Sequence, residues 1–332
     1  KTYREGLEYL GMKYEERSQP FEGASGVMHP LLAESVTQFQ AQAYNELLPS
    51  QGPVKTQVIG MTTPETEQQA SRVQEFMNYQ LMQVMREYDS ETDQMLFYLP
   101  LSGSAFRKVY YDQNLGRAVS KFIPSEDLIV PYGATDLHSA TRITHVINMS
   151  MNEIRKLQQI GFYRDVDLDY GNVSPEETDE IQEEIDKIQG VEPSYSNNDM
   201  CQVYESHVEL DIEGFEDINL EGEETGIKLP YIVTIANGKV LSIRRNYKED
   251  DQLKQRINYF VHYKFLPGLG FYGFGLTHMI GGLSKASTSI LRQLIDAGTL
   301  SNLPAGFKAR GIRIRNDDQP LQPGEFRDMD AP

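Results

Sequence analysis

The stretch 267–298, PGLGFYGFGLTHMIGGLSKASTSILRQLIDAG, joins a glycine-rich turn to a helical pattern. Gly268, Gly270 and Gly273 fit G-x-G-x-x-G, the pattern of a turn that binds dinucleotides. An apolar and aromatic strand pattern over 257–266 leads into it. The same glycines also suit a hinge, because glycine lets the backbone turn sharply and lets packed elements approach closely. The choice between a cofactor site and a hinge decides how the C-terminal third of the chain folds.

Three features of the flanking sequence favour the hinge. The preceding strand interleaves Asn258, His262 and Lys264 with apolar residues, whereas the first strand of a dinucleotide-binding fold is buried on both faces. The steady helical stripe begins only at Leu283, about ten residues after the motif. No second βαβ unit follows, and a lone G-x-G-x-x-G is weak evidence. We therefore predict a hinge at Gly268, Gly270 and Gly273 and no cofactor, with an NAD(P)-binding oxidoreductase as the alternative.

A helix of about fifteen residues follows the glycines and ends at Gly298. Its apolar residues recur at helical spacing in one narrow stripe, while its other face carries Ser, Thr, Lys, Arg and Gln. This pattern suits a helix that packs against copies of itself. The predicted packing residues are Leu283, Ala286, Ile290, Leu294 and Ala297.

The segment after the helix, NLPAGFKARGIRIRND, predicts a pair of strands with basic side chains. Residues 283–315 contain six basic residues and one acid, Asp296, so their net charge is 6 − 1 = +5 in a chain of net charge −18. Such a local reversal favours contact with a polyanion or an acidic partner over a simple solvated face. The basic residues are Lys285, Arg292, Lys308, Arg310, Arg313 and Arg315.

Upstream of the glycines, helical patterns come first and strand patterns follow, which predicts an α+β fold rather than a βαβ alternation. Helices are expected at about 30–48 and 64–88, with a short strand over 52–60 between them. The second helix carries an apolar, Met-rich stripe, which we interpret as core, although such stripes also form adaptable binding surfaces. The stripe consists of Val73, Phe76, Met77, Leu81, Val84 and Met85.

Strand patterns over 103–148 predict a small antiparallel unit, and Ser150 with Glu153 predicts the capped start of a short helix. An acidic exposed helix is expected at about 175–188. More strands follow, and Asn237-Gly238 marks the turn of a hairpin.

Composition and motifs argue against several function classes. One cysteine, Cys201, excludes an internal disulfide and a Cys-rich metal site, and a structural thiol is expected there rather than a nucleophile. The alternating aspartates of DVDLDYGNVSPEE lack the glycine and the terminal glutamate of an EF-hand loop. No G-x-S-x-G, P-loop or metal-ligand spacing is present, and no apolar run approaches the roughly 20 residues of a membrane span. The sequence does not favour an enzyme, and it predicts no metal, no membrane contact and a reducing compartment.

Four segments together carry a resemblance to a known family: PFEGASGVMHPLLAESVTQFQAQAYNELLP, GPVKT, IPSEDLIVPYGATDL and the stretch from GFYGFGLTHMIGG to QPLQPGEF. They resemble the portal proteins, or head–tail connectors, of tailed bacteriophages, especially the short-tailed, podovirus-like type. The resemblance extends over most of the chain and rests on no single invariant motif.

The resemblance implies a homo-oligomeric ring, usually of about twelve copies, at one vertex of the capsid. Double-stranded DNA would pass through the ring without sequence-specific contacts during packaging and ejection. The implied partners are the terminase large subunit, which supplies the ATPase activity, head–tail adaptor or tail proteins, and the major capsid and scaffolding proteins. The implied location is the virion, after assembly in the cytoplasm of the host bacterium.

Mapped onto this chain, the resemblance implies a wing of helices and small antiparallel β-units over 1–275, a stem helix over 276–303 and the start of a β-containing clip over 304–332. Lys285 or Arg292 would face the channel. Lys308, Arg310, Arg313 and Arg315 would contact DNA backbone or a partner protein. The family continues beyond this point with a returning stem helix and a tunnel loop, so we expect the chain to be part of a longer protein. A generic acidic assembly or scaffold protein is the remaining alternative.

Overall fold

The structure is a computed structural model. It describes residues 2–12, 16–168, 185–186, 188–190, 200–217, 224–302, 306–311 and 326–330. Its contacts divide the chain into two compact units. The first contains the described residues of 1–38, 179–192 and 276–332, and the second contains those of 39–178 and 193–275.

The helices and strands are named here in chain order. The helices are α1 (Thr2–Tyr9), α2 (Leu31–Leu47), α3 (Pro64–Tyr79), α4 (Tyr88–Ser102), α5 (Met151–Gln159) and α6 (Leu276–Asn302). The strands are β1 (Ser104–Asp112), β2 (Arg117–Ile123), β3 (Leu128–Ile129), β4 (Arg142–Ser150), β5 (Met200–Leu210), β6 (Leu229–Ala236), β7 (Lys239–Arg245), β8 (Phe260–Lys264), β9 (Gly306–Gly311) and β10 (Phe326–Asp330). This arrangement confirms the α+β class.

Two antiparallel sheets form the body of the second unit. Among the described residues, β2, β1 and β8 form one sheet in that order, and β3, β4, β5, β6 and β7 form the other in chain order. Both sheets contribute to one apolar core, because Phe106 and Phe260 from the first pack with Leu128 and Ile143 from the second. A second cluster beneath α5 contains Ile154, Val203 and Leu241, each almost fully buried.

A buried ion pair also joins the two sheets. Lys108 Nζ on β1 lies 2.6 Å from Glu205 Oε1 on β5, and His207 Nε2 lies 2.9 Å from the same oxygen. Burial alone would raise the pKa of Glu205, but the hydrogen bonds from His207 and Lys108 hold it far below its usual value. The carboxylate therefore stays ionised inside the unit, which a buried charge does only when it is paired.

Most strand predictions are confirmed, but their grouping is wrong. The strands over 103–148 lie in two sheets rather than one, because Pro124 and the 3-10 turn Ser125–Asp127 redirect the chain after β2. β1 pairs with β2 on one side and with the distant β8 on the other, whereas β3 and β4 join the five-stranded sheet. The predicted hairpin turn is confirmed at Asn237-Gly238, where both residues have positive φ. The predicted cap is present too, since the amide of Glu153 donates to Ser150 Oγ at 3.2 Å.

The predictions around α3 need two corrections. Residues 52–60 are not a strand, because side chains of α3 bind their backbone in place of a neighbouring strand. The predicted helix over 64–88 divides into α3, the π-helical turn Gln80–Val84 and the start of α4. Of its predicted buried stripe, Val73, Phe76 and Met77 are exposed, Leu81 and Val84 are half-buried, and only Met85 is buried, because no described residue covers the stripe along α3.

The predicted acidic helix at 175–188 falls almost entirely outside the described residues. Among the helices that are described, none combines the length and the hydropathy needed to cross a bilayer.

Candidate subunit interface

Helix α6 buries a face of small and polar residues and exposes its apolar face. Its buried residues are small or polar, and they lie on one side of the helix at spacings of three, four and eight residues. They are Thr277, Gly281, Ser284, Thr288 and Asp296. A helix on a protein surface normally buries its apolar stripe, so this helix is reversed relative to the usual pattern.

The buried face of α6 binds the described residues of 1–30, which we call the N-terminal segment. The contacts are made to backbone groups of this segment. The amide of His29 donates to Thr288 Oγ1 at 3.0 Å, and the amide of Ser25 donates to Asp296 Oδ1 at 2.7 Å. Thr288 and Asp296 therefore each replace a backbone partner that this irregular segment lacks. This explains why the buried face of α6 is polar.

Charged groups complete the attachment of the N-terminal segment. Arg292 Nε donates to the carbonyl of Val27 at 2.7 Å, and Arg17 Nη1 lies 3.8 Å from Asp296 Oδ2. Asp296, the acid in the basic stretch 283–315, is thus paired within the chain. The sequence pattern assigned no role to Asp296 or Thr288, although a lone acid in the basic stretch 283–315 was a usable signal.

Small residues let the N-terminal segment approach the helix closely. A Cβ on Gly281 would lie 3.3 Å from the ring of Tyr9 in α1. Further along, a cleft of about 830 Å³ opens between α6 and the N-terminal segment, with Phe21 and Met28 on one side and Lys285 and Gln293 on the other. The N-terminal segment therefore covers one side of α6 and leaves the other side open.

The open side of α6 carries the predicted packing stripe. Leu283, Ile290 and Leu294 are 60%, 66% and 70% exposed. Ala286 and Ala297 are exposed as well, and Met279 extends the stripe toward the start of the helix. At 100° per residue these side chains fall within one narrow sector. The described part of the chain contains nothing that covers them, so the stripe is available to a partner.

The predicted basic residues occupy different settings. Lys285 is exposed on α6, whereas Arg292 is half-buried and binds the N-terminal segment. Lys308 and Arg310 lie on β9, which pairs in parallel with β10. Arg313 and Arg315 lie outside the described residues.

The glycine motif has the geometry of a close backbone crossing. Gly273 donates its amide to Ser104 Oγ at 2.8 Å, and a Cβ there would lie 2.5 Å from the carbonyl oxygen of Gly103. Leu266 and Phe274 exchange backbone hydrogen bonds across the loop at 3.1 and 3.0 Å. The backbone of the chain itself thus fills the space beside Gly273.

The topology around the motif is also unlike a dinucleotide fold. Strand β8, which precedes the glycines, runs antiparallel to β1, whereas the dinucleotide fold requires parallel strands. One sequence argument against that fold was wrong: α6 begins at Leu276, three residues after Gly273, rather than ten. The apolar stripe marks the helix only from Leu283 onward. The first turns bury Thr277 and Gly281 instead, so the stripe did not show where the helix begins.

Other candidate chemistries find no support in the described residues. Cys201 is buried beside Asn237, and burial raises the pKa of its thiol, which disfavours the nucleophilic thiolate. In the described ranges no three His, Cys, Asp or Glu side chains come together as metal ligands do. Asp165 and Asp167 lie in the described part of the predicted calcium loop, and the remainder of that loop lies outside it.

Comparison with known families identifies the class of protein. The family model described as "Phage SU10 portal protein" matches residues 107–316, which is more than half of the chain and includes β1, both sheets and α6. The chain belongs to this portal protein family. No curated protein matches it.

Membership of this family defines the broad role of the chain. Portal proteins are structural components of the phage virion, so the predicted resemblance and the structural role are supported. The family implies a homo-oligomeric ring associated with the capsid.

Proposed function

We propose that this chain is the subunit of the ring through which double-stranded DNA enters and leaves the capsid. The apolar stripe of α6 packs subunit against subunit, and α6 serves as the stem helix of the ring. The single observation that carries this proposal is the inversion of α6, whose polar face is buried within the chain while its apolar face points outward.

The inversion matters because exposed apolar side chains in one stripe are costly unless a partner covers them. Burying a Leu or Ile side chain contributes roughly 1.5–3 kcal/mol, so Leu283, Ile290 and Leu294 together can stabilise a contact substantially. In a closed ring the contact is heterologous, so the stripe of one subunit packs on a different surface of its neighbour. The stripe therefore supplies one half of each contact between neighbouring subunits.

The charges of the chain suit passage of DNA rather than capture. A net charge of −18 disfavours a tight grip on phosphates, while a few basic groups on the channel side weaken repulsion locally. Lys285 is the better candidate for facing DNA, since it is exposed and Arg292 is used to hold the N-terminal segment. Contacts with the DNA backbone carry no sequence preference.

The remaining parts of the proposal concern partners. Strand β9, with Lys308 and Arg310, contacts the terminase large subunit, a head–tail adaptor or tail protein, or DNA backbone; Arg313 and Arg315 extend the same basic segment. Capsid and scaffolding proteins contact the outside of a ring of about twelve copies.

Two further points complete the proposal. Gly268, Gly270 and Gly273 serve as the hinge before the stem helix. The virion is assembled in the cytoplasm of the host.

Electron microscopy of the complete gene product in negative stain tests the ring directly. Closed rings with a central hole wide enough for duplex DNA are expected. Ile290→Glu places a charge in the stripe and should abolish the rings, whereas Ser289→Glu, at an exposed position about 100° around the helix from Ile290, should leave them intact. Monomers or dimers from the unchanged protein would overturn the proposal.

The partner assignment has its own test. Lys308→Glu with Arg310→Glu reverses two charges on β9 and should reduce DNA packaging and adaptor binding without preventing ring formation. Unchanged packaging and adaptor binding would show that β9 is not the contact strand, while leaving the ring itself untouched.

A further inference from the structure

Residues 53–84 form a segment that we call the arm. It consists of an extended stretch, helix α3 and the π-helical turn Gln80–Val84. Not one residue from 53 to 84 is buried, although both neighbours of the segment, Gly52 and Met85, are. The arm therefore has no core of its own.

The arm is held together through its polar side. Asn78 on α3 exchanges two hydrogen bonds with the backbone of Val54, at 2.9 and 3.2 Å. Gln74 Oε1 accepts from the amide of Thr56 at 3.1 Å. Thr63 and Thr66 cap the helix reciprocally. The polar side chains of α3 thus face the extended stretch, which leaves the apolar side of the helix outward.

The outward side of the arm is rich in large apolar residues. Ile59 and Met61, at the end of the extended stretch, are 95% and 89% exposed, and Phe76 on α3 is 61% exposed. The other large apolar residues exposed along the arm are Val73, Met77, Tyr79 and Met82. Contiguous apolar surface of this kind marks an interaction site in a soluble protein. Methionine side chains adapt readily to an irregular partner surface.

The arm also needs a partner for its own stability. Most of the stability of a protein helix comes from packing of an apolar face, and no residue of α3 is fully buried among the described residues. The π-helical turn at its end disrupts the regular hydrogen bonding further, a feature often found at functional sites. The arm is thus built to be completed by another surface.

The charge distribution indicates which surface this is. Copies of a chain with net charge −18 repel one another wherever their acidic surfaces meet. From Gln68 to Val84 the only charged residues are Arg72 and Glu75, which cancel, so this part of the arm can approach another copy without that repulsion. The family implies a ring of identical subunits, so a second copy is always adjacent.

We propose that the arm packs its apolar face on a neighbouring copy of this chain in the assembled ring. The inference rests on the proposed ring and adds a second contact, far along the chain from the stripe of α6. The arm then acts as a clasp whose helix becomes fully ordered only on assembly.

Site-specific photo-crosslinking identifies the occupant. Phe76 is replaced by the photoreactive residue p-benzoylphenylalanine in the complete gene product, rings are purified, and the sample is irradiated. A product of twice the subunit mass, whose crosslinked peptides come from two copies, is expected. The same replacement at Ser71, which is exposed and lies about 140° around α3 from Phe76, should give at least tenfold less of it.

The other outcomes separate the inference from the proposed function. Rings that form normally but give no subunit–subunit product at position 76 would overturn the inference alone. A product with another virion protein, seen only in capsid precursors, would overturn it as well, because the occupant would not be a copy. Absence of rings from the unchanged protein would remove the proposed function and this inference with it.

A charge variant measures the contribution of the arm. Phe76→Glu should raise the subunit concentration at which half the rings dissociate by at least tenfold, and Ser71→Glu should not. Because Phe76 is exposed in the free chain, the thermal melting temperature of the isolated subunit should be unchanged. An unchanged dissociation concentration for Phe76→Glu would contradict the clasp.

Discussion

The amide of Ser25 donates a 2.7 Å hydrogen bond to Oδ1 of Asp296, across 271 residues of chain. This contact ties the N-terminal segment to α6 within one compact unit. The carboxylate of Asp296 also has a cation beside it, since Arg17 Nη1 lies 3.8 Å from its other oxygen. Asp296 and Arg292 on α6 are thus both used to hold the N-terminal segment.

Replacing Asp296 should release the N-terminal segment from α6. Asp296→Ala removes a charge-assisted hydrogen bond and leaves a buried amide without its acceptor, at a cost of roughly 1.5–3 kcal/mol. Asp296→Asn keeps an acceptor and should cost less. Limited proteolysis between residues 16 and 30, together with urea unfolding, measures the effect. Equal proteolysis of Asp296→Ala and of the control Gln293→Ala would contradict the role of this contact.

The buried pair of Lys108 and Glu205 should dominate the stability of the second unit. Lys108→Met removes the nearer cation of the buried Glu205 and leaves only Arg244, 4.0 Å from its other oxygen, so a cost toward the lower end of roughly 3–5 kcal/mol is expected. Lys121→Met is a matched control, because Lys121 pairs with Lys108 in the register of β1 and β2 but is exposed. Urea unfolding should show a large loss for the first variant and little change for the second. Similar losses for both would mean that the pair contributes nothing specific.

Two half-buried histidines, His145 and His262, should make the second unit less stable in acid. Burial lowers the pKa of His145 to about 4, with the nearby charge of Lys108 as a further cause, and burial lowers the pKa of His262 to about 4. Both values lie below the ordinary 6.5, so the unfolded chain binds more protons in this range. Their stabilisation is complete above about pH 6.5 and is lost as the pH falls toward 4.

Urea unfolding at a series of pH values checks this expectation. A variant with His145→Phe and His262→Phe should show a shallower decline between pH 6.5 and 5 than the unchanged protein. Protonation of carboxylates adds to the decline below that range in both proteins. Parallel curves from pH 6.5 to 5 would show that the histidines are not the source.

The glycine loop offers a test with an internal control. A Cβ at Gly273 would lie 2.5–2.6 Å from the carbonyl oxygens of Gly103 and Leu266, whereas a Cβ at Gly270 would meet nothing within 4 Å. Gly273→Ala should therefore destabilise the second unit by roughly 1–3 kcal/mol or more. Gly270→Ala should be nearly neutral, since that position needs no close approach.

The same pair of variants bears on the cofactor alternative. In a dinucleotide fold the second glycine of the motif, here Gly270, lets the backbone approach the pyrophosphate. Calorimetry with NAD(P) at millimolar concentration should detect no binding to the unchanged protein. Binding that Gly270→Ala abolishes would revive the oxidoreductase hypothesis.

The sequence alone located most elements of the second unit and the stem helix. Alternation of apolar residues marks β1, β2, β4 and β5 within a residue or two, because a strand with one buried face must alternate whatever it pairs with. The stripe from Leu283 to Ala297 likewise predicted an apolar helix face. The combination of segments indicated the portal family, which the family model supports.

The tertiary structure alone decided which strands share a sheet and which helix faces are covered. Periodicity shows that a face is apolar but not whether this chain or another molecule covers it. The stripe on α3 was therefore predicted to be core and is exposed, and the buried face of α6 is polar because it binds backbone groups of the N-terminal segment. Pairing of β1 with β8 depends on contacts between residues about 150 positions apart, which local pattern does not encode.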